Sequence, residues 1–311
     1  MGSRGEVSRR AVPFLAATAL VVLVLGLLEP LAVGAQQTGQ MRRIGVLMGL
    51  PEGDASSARL ATFRKGLQTL GWEEGRNLRL DVRWATTSDA PSMQKLAKEL
   101  IARQPDVLLS HNTPTTETLL QLTRTIPIVF AVVSDPIGSG FVASFSRPGG
   151  NVTGFTNIEP TMAGKWPELL KEIAPRVTRV AFLFNPATAP YAEHYLSSFK
   201  RAAASLAMEA VAAPVRSTSE LEPTIAAQAR TPKGGGLVVM TDAFLVTHRT
   251  KIAALAAHYH LPAVYPFRDF IEAGGLLYYG NDLLDSFHRA ATYADRILKG
   301  AAPGSCPSRP R

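Results

Sequence analysis

The residues best placed to do chemistry stand just after short apolar runs. Ser110-His111-Asn112-Thr113-Pro114-Thr115-Thr116 follows one run, and Ser134-Asp135-Pro136 follows another. Further along, Asn185-Pro186-Ala187-Thr188, Thr241-Asp242-Ala243-Phe244 and Phe267-Arg268-Asp269 hold the same position. In an open parallel sheet, ligands bind outside the carboxyl ends of the strands. Ser110, Thr113, Thr115 and Thr116 therefore offer hydroxyls, with free helix N–H groups, to a carboxylate. The plain alternative is an ordinary cap, with Thr113 capping and Pro114 at the first helical position. Asp135 and Asp242 would face each other if two such sheets closed on a ligand. They could hold an ammonium group, act as acid and base, or simply cap the next turn.

Catalytic signatures are thin. No G-x-x-x-x-G-K-[ST] and no G-x-S-x-G is present. Gly138-Ser139-Gly140 lacks the third Gly of a dinucleotide fingerprint. His258-Tyr259-His260 is the one close His pair and suits a helix end. Cys306, the single Cys, sits in a Pro/Arg-rich tail and permits no intrachain disulfide. No catalytic residue, metal site or cofactor is read from the chain.

The elements that position these residues alternate. Ile44 to Met48 reads as a buried strand, and Ala58 to Leu70 as a helix with Leu60, Phe63, Leu67 and Leu70 on one stripe. Leu78–Trp84 reads as a strand, 91–103 as a helix, 106–110 as a strand, 115–125 as a helix and 126–133 as a strand. This rhythm predicts βαβ units and a parallel sheet covered on both faces. It then restarts. Val180 answers Ile44 at an offset of 136, and Pro262 answers Pro127 at 135. TIPIVF and HLPAVY share Pro, then Val and an aromatic. The expected fold is α/β, with two doubly wound, Rossmann-like lobes joined by a hinge. Arg147 to Gly154 is turn-rich and is expected to hold the crossover, and 274–280 a second one before a helix over 283–298.

The ends differ. Arg4, Arg9 and Arg10 precede an apolar run from Ala11 to Leu28, with small residues at 33–35. Residues 1–35 are read as a secretory signal peptide rather than a membrane anchor, so no stable membrane insertion is expected after cleavage. The chain carries 33 Lys and Arg against 25 Asp and Glu, a net +8. Without the three Arg and two Glu of residues 1–35 about +7 remains. The basic residues are scattered with no stripe among aromatics, which argues against a nucleic-acid partner. Residues 301–311 are poor in apolar side chains and are read as disordered.

The motifs carry a resemblance. DPIGSGFV (135–142), RPGGNVTG (147–154), YGNDL (279–283) and DRILKG (295–300) resemble the substrate-binding proteins of ABC transporters, in the family of tryptophan/tyrosine-type binders. The resemblance implies a type I periplasmic binding fold. It also implies a small-molecule ligand, an amino acid or aromatic compound, held between lobes and delivered to an ABC permease from the periplasm. It places ligand contacts at Ser110 to Thr116, Ser134, Asp135, Asn185 to Tyr191, and Asp242. Lobe 1 is then 41–153 with 281–300, and lobe 2 is 154–280. The family continues after Lys299-Gly300 with a linker, strand and helix, so the resemblance implies that lobe 2 lacks its last strand here. An enzyme such as an amino-acid racemase, or a sensory ligand-binding domain, is the alternative.

Overall fold

The computed structural model describes residues 41–308 except 88 and 232–233. The expected signal segment lies outside the described residues. The first sheet is built from β1 (Arg42–Met48), β2 (Leu78–Trp84), β3 (Val107–Asn112), β4 (Ile128–Val133) and β5 (Val152–Thr156). Its order is β2-β1-β3-β4-β5, all parallel. β3 and β4 are buried along their whole length, as strands covered on both faces must be. Helices α1 (Asp54–Thr69) and α10 (Leu283–Leu298) cover one face, and α2 (Ala90–Ala102) and α3 (Thr113–Leu122) the other.

The second sheet repeats the plan. Its strands are β6 (Arg179–Phe184), β7 (Glu209–Pro214), β8 (Gly235–Val239) and β9 (Ala263–Val264), in the order β7-β6-β8-β9. Helices α4 (Lys165–Ile173) and α5 (Ala192–Ser205) pack on one face, with α6 (Thr218–Ala229) and α8 (Arg249–His258) on the other. The short helices α7 (Ala243–Thr247) and α9 (Asp269–Glu272) follow β8 and β9. β1 to β4 thus correspond in order to β6 to β9, so the repeat seen in the sequence is a repeat of sheets. The position of β5 is taken in the second sheet by a single parallel bridge, Tyr265 to Tyr278.

Two expectations are corrected. The turn-rich Arg147 to Gly154 is not the crossover. Its second half is β5, and the chain leaves the first sheet only after Thr156. Gly154 permits this, at φ 154 with its Cα so close to the Phe130 carbonyl that a Cβ would sit 2.0 Å from it. Residues 301–308 of the tail are not free either, and 309–311 lie outside the described residues. Cys306 and Ser308 are buried. The Thr153 hydroxyl donates to the Cys306 carbonyl, and the Tyr293 hydroxyl to that of Pro307 at 2.6 Å. Main-chain acceptors hold this segment, so its poverty in apolar residues did not predict its order.

Candidate ligand-binding site

Both sheets point their carboxyl ends at a common cleft, and a small cavity of about 30 Å³ lies there. Lobe 1 supplies Leu50, Arg59, His111, Thr113 and Ser134, while lobe 2 supplies Tyr191, Thr241, Asp242 and Phe267. That volume holds about one or two waters. A larger solute enters only by moving the lobes apart.

One end is a net of hydroxyls around Asn157, which stands just past β5 where the chain crosses over. Asn157 Nδ2 donates to Ser134 Oγ at 2.9 Å and to Thr241 Oγ1 at 2.7 Å. Its Oδ1 accepts from the Ile158 amide at 2.6 Å. One buried amide therefore ties the end of β4 to the end of β8. Thr113 Oγ1 accepts from the Ser134 amide at 3.2 Å. The Tyr191 hydroxyl donates to the Thr241 carbonyl at 3.2 Å and lies by Ser134 and Thr113. Burial, with Asp242 nearby, pushes the Tyr191 phenol up, so it stays protonated.

The other end is charged. Arg59, on α1, is 2% exposed, and its Nη2 pairs with Asp269 of α9 in the opposite lobe. Its Nη1 lies 3.2 Å from His111 Nε2. Burial lowers the Arg59 pKa, and Asp269 acts the other way. Burial, then the Arg59 charge, hold His111 well below the usual imidazole range, so it is neutral. A second tie between lobes lies away from the cavity, where Asp135 Oδ2 meets His194 Nδ1 of α5 at 2.5 Å.

Of the expected site residues, Thr113, Ser134, Tyr191 and Asp242 line the cavity. Ser110, Thr115, Thr116, Asn185 and Asp135 do not. Ser110 and Thr116 bond each other, and Thr116 donates to the Asn112 carbonyl at 2.8 Å. The cap of α3 is Asn112, one residue before the expected Thr113, in a reciprocal box with Thr115. Thr113 is thereby released to face the cleft. The Asn185 backbone amide donates to Asp242, and its side-chain Oδ1 accepts from the Ala187 amide. Asp135 and Asp242 do not face each other as a pair. The Asp135 carboxylate takes the Gly138 amide as well as His194. The Asp242 carboxylate accepts from Asn185 N, Thr188 Oγ1, Phe244 N and Leu245 N. Three of these donors converge on Oδ1 and one reaches Oδ2, all from within lobe 2, so a single Oδ2 position is left for a ligand.

Arg59 and Asn157 lay outside the sequence reading. A signal for Arg59 existed, since Ser56, Arg59, Leu60, Phe63 and Leu67 share the buried face of α1. A charged residue on such a face needs a buried partner.

A model of the ABC transporter substrate binding protein family matches residues 43–310. The chain belongs to that family. This substrate-binding protein is 25% identical, over 248 residues, to the tyrosine-binding protein of Clostridioides difficile (strain R20291). The match covers 79% of this chain and 69% of that one. Among solved structures, a conserved domain protein from Vibrio cholerae O1 biovar eltor is 28% identical with a TM-score of 0.78, over 88% of this chain and 90% of that one. An ABC domain from Streptococcus pneumonia, in complex with L-Trp, is 22% identical with a TM-score of 0.77, over 87% and 89%. The fold is that of a type I periplasmic binding protein, and the family's work is solute binding. Among the described residues no helix is long and apolar enough to cross a membrane.

Proposed function

We propose that this protein is the solute-binding component of an ABC importer, exported to the periplasm by residues 1–35, and that it presents a closed, solute-loaded form to a permease. The solute is a small compound with an aromatic body and polar head, of the aromatic amino-acid class. The observation that carries this is the cavity walled from both lobes, with Asn157 joining the two strand ends across the crossover. Closure by hinge bending about the two crossings is the motion such a site requires. Thr113, Ser134 and Tyr191 are the sequence-expected residues that touch the solute, with Phe267 as an apolar wall. A tyrosine-binding relative and an L-Trp complex of a structural neighbour support the ligand class.

The test is thermal unfolding with millimolar L-tyrosine, L-tryptophan, L-phenylalanine and benzoate. A ligand at about 100-fold its Kd adds about 2.7 kcal/mol, and we expect the midpoint to rise by about 5 °C or more. The bound compound should be recovered unchanged. Its turnover would sink the reading as a binding protein, and no response to any aromatic compound would sink the solute class.

A further inference from the structure

Arg59 and His111 meet in a hydrogen-bond conflict that no tautomer removes. The Gly49 amide donates towards His111 Nδ1 at 3.2 Å, and Arg59 Nη1 lies 3.2 Å from Nε2. A neutral imidazole has one acceptor nitrogen and one N–H. With Nδ1 accepting, the Nε2 proton faces a guanidinium N–H. With Nε2 accepting, the Nδ1 proton faces the buried Gly49 amide. A second proton would set donor against donor at both nitrogens, and burial beside Arg59 already disfavours it. His111 is itself buried and cannot turn to water. The Phe287 ring, 5.6 Å from the imidazole, backs it. Arg59 is held just as firmly, since Asp269 takes Nη2 and leaves Nη1 directed towards the ring.

Two buried N–H groups lining one cavity, with no protein acceptor between them among the described residues, are complementary to an anion. We propose that the Arg59–His111 end of the cavity is a subsite for the solute's carboxylate, which accepts from Arg59 Nη1–H and His111 Nε2–H together. The inference rests on the reading of this cavity as the solute site. A carboxylate suits it better than an amide carbonyl, because charge-assisted bonds are shorter and about twice as strong. Asp269 already balances the Arg59 charge. A solute that brings its own cation therefore fits better than a bare anion, and the hydroxyl oxygens of Thr113, Ser134 and Thr241, with the Asp242 carboxylate in the same wall, are the acceptors for that cation. This moves the carboxylate from the start of α3, where the sequence reading put it, to the Arg59–His111 end.

The probe is sodium formate, the smallest carboxylate, titrated into the ¹⁵N-labelled full chain with formamide as control. The readout is the His111 ring nitrogens, assigned by their loss in His111→Gln. We expect a neutral Nε2–H ring whose resonance moves saturably with formate, hardly with formamide, and not at all in Arg59→Gln. Should that variant not fold, Arg59→Lys keeps the charge but loses the planar fork, and should weaken formate by about tenfold or more. In the wild-type chain L-tyrosinamide should bind about tenfold or more weaker than L-tyrosine by calorimetry. An absent formate response, or an equal one to formamide, overturns the subsite whether or not aromatic amino acids bind. Aromatic binding without a formate response leaves solute binding standing and removes this inference. A formate response without aromatic binding supports the subsite and removes the aromatic class instead.

Discussion

Asp242 caps α7 and collects four donated hydrogen bonds, each of which favours the carboxylate. Burial outweighs them and pushes its pKa up to about 6, from 3.8. The folded state therefore holds a proton between these values that the unfolded chain has released. The stability this proton contributes is fully present below about pH 3.8 and is lost as pH rises through about 6. One pKa unit is about 1.36 kcal/mol, so the loss is about 2–3 kcal/mol. Asp242→Asn should remove that slope, read by urea unfolding at pH 4, 5, 6 and 7. A wild-type stability relative to the variant that is flat, or that rises across this range, contradicts the assignment. The same residue shows how far types and spacing carry. That Asp242 stands at a strand end was legible. That most of its lone pairs are taken depends in part on Asn185 and Thr188, brought to it by the loop after the neighbouring strand β6.

At the scale of elements, α1 and α10 pack closely enough that side-chain size decides the fit. Gly66 faces Ala291, and a Cβ on Gly66 would lie 2.8 Å from the Ala291 Cβ and 3.2 Å from the His288 carbonyl. Helix propensity alone says that Gly66→Ala gains about 1 kcal/mol. The contact says the reverse, because overpacking a fitted interface costs about 1–3 kcal/mol. We expect Gly66→Ala to lose about 1 kcal/mol or more in chemical denaturation. Gly66→Ala with Ala291→Gly should recover much of it. A stabilised single variant would show that the two helices separate freely. The helices themselves were readable from their apolar stripes, and α10 begins and ends where its sequence pattern does. Its docking on lobe 1, where Trp72 Nε1 donates to Asp295 at 2.9 Å, joins residues more than 200 positions apart and has no local signal.

Across the whole molecule, among the described residues, an ion pair, Arg59 to Asp269, and a hydrogen-bond contact, Asp135 to His194, join the lobes. The first is buried and the second is at an exposed rim, where screening leaves it worth little. Breaking a buried pair strands a charge and costs about 3–5 kcal/mol. Opening the lobes lets water solvate Arg59 and avoids part of that cost. Asp269→Asn should therefore shift the solute-free protein towards an open form, seen as a larger radius of gyration by small-angle X-ray scattering. It should also weaken L-tyrosine by about tenfold or more, since closure must then bury an unpaired guanidinium. An unchanged radius together with unchanged affinity would show that the pair does not hold the lobes.

The sequence by itself determined β1 to β4, the helices between them and the doubling of that plan, because period and burial are local properties that recur at a fixed offset, but it read β5 as a turn and left β7, α4 and α6 unplaced. It also determined which loops end at the cleft, since strand direction in a parallel sheet fixes that. Within those loops it could not choose. Ser110, Thr115 and Thr116 turn inward to bond the start of α3, whereas Thr113 turns outward once Asn112 takes the cap. Arg59 reaches the cavity from a helix face and Asn157 from the crossover, while Asp269 meets Arg59 from the other lobe, and no spacing rule links the three. Only the tertiary structure decided the chemistry of the site, because hydrogen-bond satisfaction and burial belong to sets of residues brought together by packing.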